Sequence, residues 1–64
     1  MKLLIVSKFK STIIEGGMLP RVGDKIDVHY YPYPSVDSVL LYPSKETLQR
    51  FGVDLDIDAV ITVD

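Results

Sequence analysis

The 64-residue sequence contains no cysteine and no tryptophan, and His29 is its one histidine. Without cysteine there is no disulfide, and a single histidine rules out a Cys/His zinc site. Chains this short often rely on disulfides, a metal or oligomerisation. Packing and self-association are what the missing residues leave. Long apolar runs are also missing. Leu3-Leu4-Ile5-Val6 is only four residues long before Ser7-Lys8. That is too short for a secretory h-region and far too short for a membrane span. The expected location is therefore the cytoplasm, with no membrane association. Positive charge is scarce as well. The formal net charge is −2, which disfavours nucleic acid, because its binders carry a basic footprint.

What is present is apolar residue, 47% of the chain. This argues against disorder, which needs low hydrophobicity and high net charge. One domain spanning residues 1–64 is expected. A domain of this size buries only about 60% of the surface its unfolded chain exposes. So high an apolar content in so small a body predicts an exposed apolar patch, and hence a protein partner or self-association. Charge divides along the chain: residues 1–32 carry five basic and three acidic groups, residues 33–64 two basic and six acidic.

Leu3–Phe9 reads as a first strand with apolar residues on both faces, as in a central strand. Ser11–Glu15 extends it or begins another. Gly16-Gly17 ends regular structure. In Met18–Asp24, Val22-Gly23-Asp24 reads as a tight turn, and Leu19 and Val22 are expected to cap the core. Lys25–Tyr31 alternates cleanly and is stopped by Pro32 and Pro34. Val36–Tyr42 returns beside it as a hairpin, with Tyr30, Val36, Val39 and Leu41 facing inward. Ser44 is a candidate N-cap for a helix of about two turns. Gly52 and Val53 fit a Schellman ending against Leu48. From about Asp58 a last strand follows, with Ala59, Ile61 and Val63 inward.

Strand, loop, strand, strand, short helix, strand is an order that resembles the SH3-like small barrels. The resemblance implies a mainly β, mostly antiparallel barrel with one short helix before the last strand, and the last strand paired with the first. Lysines on one and aspartates on the other favour that pairing. The alternatives weighed are an OB-type barrel, which needs longer strands, and a β-grasp, which places its helix after two strands rather than three. The tryptophan pair and the Ala-Leu-Tyr-Asp-Tyr run of peptide-binding SH3 domains are absent, so binding of proline-rich peptides is not implied. Leu19-Pro20-Arg21-Val22-Gly23-Asp24, Val39-Leu40-Leu41-Tyr42-Pro43-Ser44 and Asp58-Ala59-Val60-Ile61-Thr62-Val63 together look like short uncharacterised proteins of Gram-positive phages and prophages. That likeness implies an assembly or accessory role, with incorporation into a particle as one location.

Tyr30–Ser44 holds all four tyrosines and three of the four prolines. Exposed tyrosine gives a large contact area at low entropic cost. Tyr31, Pro32, Tyr33 and Pro34 are accordingly the candidate binding residues, while Tyr30 and Tyr42 are read as packing. Asp54, Asp56 and Asp58 have the spacing of the first three calcium ligands of an EF-hand, but Ala59 stands where the turn glycine belongs. They are read as a charged entry to a strand, and no metal or cofactor is expected. His29 lacks a nucleophile motif around it and lies on the polar side of its strand. No catalytic signature remains, and the chain is read as non-enzymatic. The runner-up is a single-stranded nucleic-acid binder using Lys2, Lys8 and Lys10 with the tyrosines.

Overall fold

The computed structural model describes residues 1–8, 10–26 and 34–64. Four strands and one helix follow in the order β1 (Lys2–Val6), β2 (Ser11–Glu15), β3 (Val36–Leu41), α1 (Lys45–Arg50) and β4 (Ala59–Val63). They build a mixed sheet in the order β2-β1-β4-β3. β1 and β4 lie at its centre and run parallel, with Leu3 against Ala59 and Val6 against Thr62. Antiparallel partners flank them on each side. A mainly β domain with one short helix before the last strand is thus in place. Pairing of the first and last strands is as expected. Its direction is not that of an antiparallel barrel, and the sheet of the described residues is open.

The central position of β1 and β4 follows from their composition. Parallel strands are covered on both faces and read as continuous Val, Ile and Leu, as Leu-Leu-Ile-Val and Ala-Val-Ile-Thr-Val do. Leu3, Ile5, Ala59, Ile61 and Val63 build the core on one face, with Val36 of β3 and Ile26 of the arm before it. Leu4 and Val60 build a second core on the other face, with Leu48 of α1 and Ile57. Val60 and Ile57 therefore belong to the helix side, not to a single inward face of odd-numbered residues.

β1 is shorter than the alternation predicts. It stops at Val6 because Ser7 closes a turn on Lys10. The Ser7 amide and hydroxyl both donate to the Lys10 carbonyl, at 2.9 and 3.0 Å. Lys8 thus lies in the turn, and Phe9 falls outside the described residues. Lys2 and Asp58 do meet, through the backbone: the Lys2 amide donates to the Asp58 carboxylate at 2.7 Å, and the Asp58 amide to the Lys2 carbonyl at 2.9 Å.

The turn at Val22-Gly23-Asp24 is present. Asp24 donates to the Arg21 carbonyl at 3.0 Å, and Gly23 has φ of 93°, the positive value a type II turn needs at its third position. Leu19 packs on the first core. Val22 points away instead, 67% exposed, because it occupies the turn's outer corner. Lys25 bridges Ser35 antiparallel, and the Val36 amide donates to Asp24 at 2.7 Å. Ser35, read as part of the turn, thus bridges Lys25, and Val36 meets Asp24, a register other than that of a hairpin turning over residues 32–35. The rest of the predicted strand, 27–31 with Tyr30, lies outside the described residues.

α1 begins and ends as its sequence requires. The Ser44 hydroxyl accepts from the Thr47 amide at 3.2 Å. At the other end Gly52 donates to Gln49 and Val53 to Leu48, each at 3.0 Å, which is the paired bonding of a Schellman motif. Gly52 has φ of 70°, and Val53 packs with Leu48 in the second core.

Candidate interaction surface

Among the described residues, Leu40 and Leu41 at the end of β3 and Tyr42 just past it form a run of exposed large apolar side chains. A register shift lies between Val36 and Ser38: Val36 opposes Val63, and Ser38 opposes Thr62. The extra residue in this bulge changes the phase of the strand. It lets Val36 and Val39, an even and an odd position, both face the first core. Beyond Val39 the sheet no longer covers the strand. Leu40 is 49% exposed, Leu41 50% and Tyr42 81%. Leu41, expected in the core, is on the surface, because among the described residues it lies at the end of an outer strand with a neighbour on one side only.

Tyr42 is also backbone-strained, with φ of 50°. Left-handed geometry in a residue other than glycine costs of order 1–3 kcal/mol. The cause is local. The Tyr42 amide is bonded to the Asp58 carbonyl at 2.8 Å, Pro43 has a fixed φ, and Ser44 is extended as the N-cap. The chain has one residue in which to leave the sheet, and the turn falls on Tyr42. Its ring is left in solvent. Tyr42 is therefore a surface aromatic rather than the packing residue its position suggested.

A groove of about 420 Å³ opens beside this end of β3, over Pro43, Leu48, Val53 and Ile57, with Lys45 and Asp54 among its lining. Its floor is the helix-side core. Asp54 and Asp56 are exposed, while Asp58 is taken up by Lys2. Among the described residues, no three His, Cys, Asp or Glu side chains gather to hold a metal. No helix among them is long and apolar enough to cross a membrane.

Of the four residues singled out by the sequence, Tyr31, Pro32 and Tyr33 lie outside the described residues, as does His29. Pro34 is buried, and its carbonyl accepts from the Ile26 amide at 3.0 Å. It belongs to the packed pair of segments 24–26 and 34–36. Leu40, Leu41 and Tyr42 were missed as a surface. The available signal was their adjacency: successive residues of a strand point to opposite faces, so Leu-Leu-Tyr before a proline cannot all face one core. Comparison with known proteins finds no matching family model, curated protein or solved structure.

Proposed function

We propose that this protein is a non-enzymatic protein–protein interaction module. Its contact residues are Leu40, Leu41 and Tyr42, together with Tyr31, Pro32 and Tyr33. The observation that carries this reading is the exposure of three consecutive large apolar residues at and just past the end of the outer strand, the last of them in a strained conformation. Strain of this kind clusters where function requires it, and exposed apolar patches mark interaction sites. A small assembly or accessory role in a phage or prophage belongs to the same reading and is supported by the likeness of the three segments given above.

The test is affinity capture from the source cells with the wild-type protein beside Tyr42→Ala and Tyr31→Ala/Tyr33→Ala. A partner recovered by the wild type and lost with Tyr42→Ala is the expected result. Equal recovery by all three proteins removes this surface from the reading. Binding to single-stranded DNA that falls steeply with salt would replace it with the nucleic-acid alternative.

A further inference from the structure

We draw no further inference here: the strongest candidate, the groove of about 420 Å³ over Pro43, Leu48, Val53 and Ile57, carries nothing, because Asp54, Asp56 and Lys45 line it together and nothing in the structure shows what covers it.

Discussion

Tyr42 joins three properties that rarely coincide in one residue: a left-handed backbone, an almost fully exposed ring, and a place at the end of an outer strand. An exposed ring contributes little to stability, so the strain is offset by the backbone bond to Asp58 and the helix cap rather than by the side chain. Asparagine reaches the left-handed region more readily. Tyr42→Asn should therefore raise the unfolding free energy by up to about 1 kcal/mol, read as a higher urea midpoint at unchanged m. The same change should reduce partner capture. A destabilised Tyr42→Asn would mean that the ring packs against the protein after all.

At the scale of elements, the helix was the most legible part of the chain. Its stop signal is Gly52, which occupies the left-handed position after the Phe51 cap. Gly52→Ala should cost about 1 kcal/mol or more in thermal or urea unfolding, although no atom lies within 4 Å of the added methyl. The penalty comes from the backbone rather than from a clash. β4 was legible too, since Ala59, Ile61 and Val63 alternate. What period-2 alternation cannot carry is direction, for parallel and antiparallel strands share it. The parallel run of β1 beside β4 was therefore hidden. So was the bulge between Val36 and Ser38, because an inserted residue leaves the composition of a strand unchanged. The end of β1 was lost for a different reason: the Ser7 hydroxyl bonds to Lys10 and stops a run whose hydrophobicity alone would continue to Phe9. The candidate surface suffered from the bulge in the same way. With the phase of β3 unknown, Leu41 was assigned to the core and Tyr42 to packing.

At the scale of the molecule, two small cores of the described residues lie on opposite faces of one sheet, and β1 and β4 supply residues to both. The radius of gyration is 10.8 Å, close to the ~10.7 Å expected for a folded chain of this length. Because β4 separates β1 from β3, its loss would divide the sheet in two and open both cores together. A chain lacking residues 59–64 should show no cooperative thermal transition by circular dichroism, where a peripheral strand would leave a weaker one. The parallel centre also sets the order of events during synthesis. Leu3 meets its partner Ala59 only after the residues between them have been made. While the chain grows, the β1–β2 hairpin exposes apolar side chains on both faces, and a lone hairpin is at best marginally stable in water. The domain therefore folds as one late event, once β4 has cleared the ribosome, and the growing chain remains open to proteases and chaperones until then.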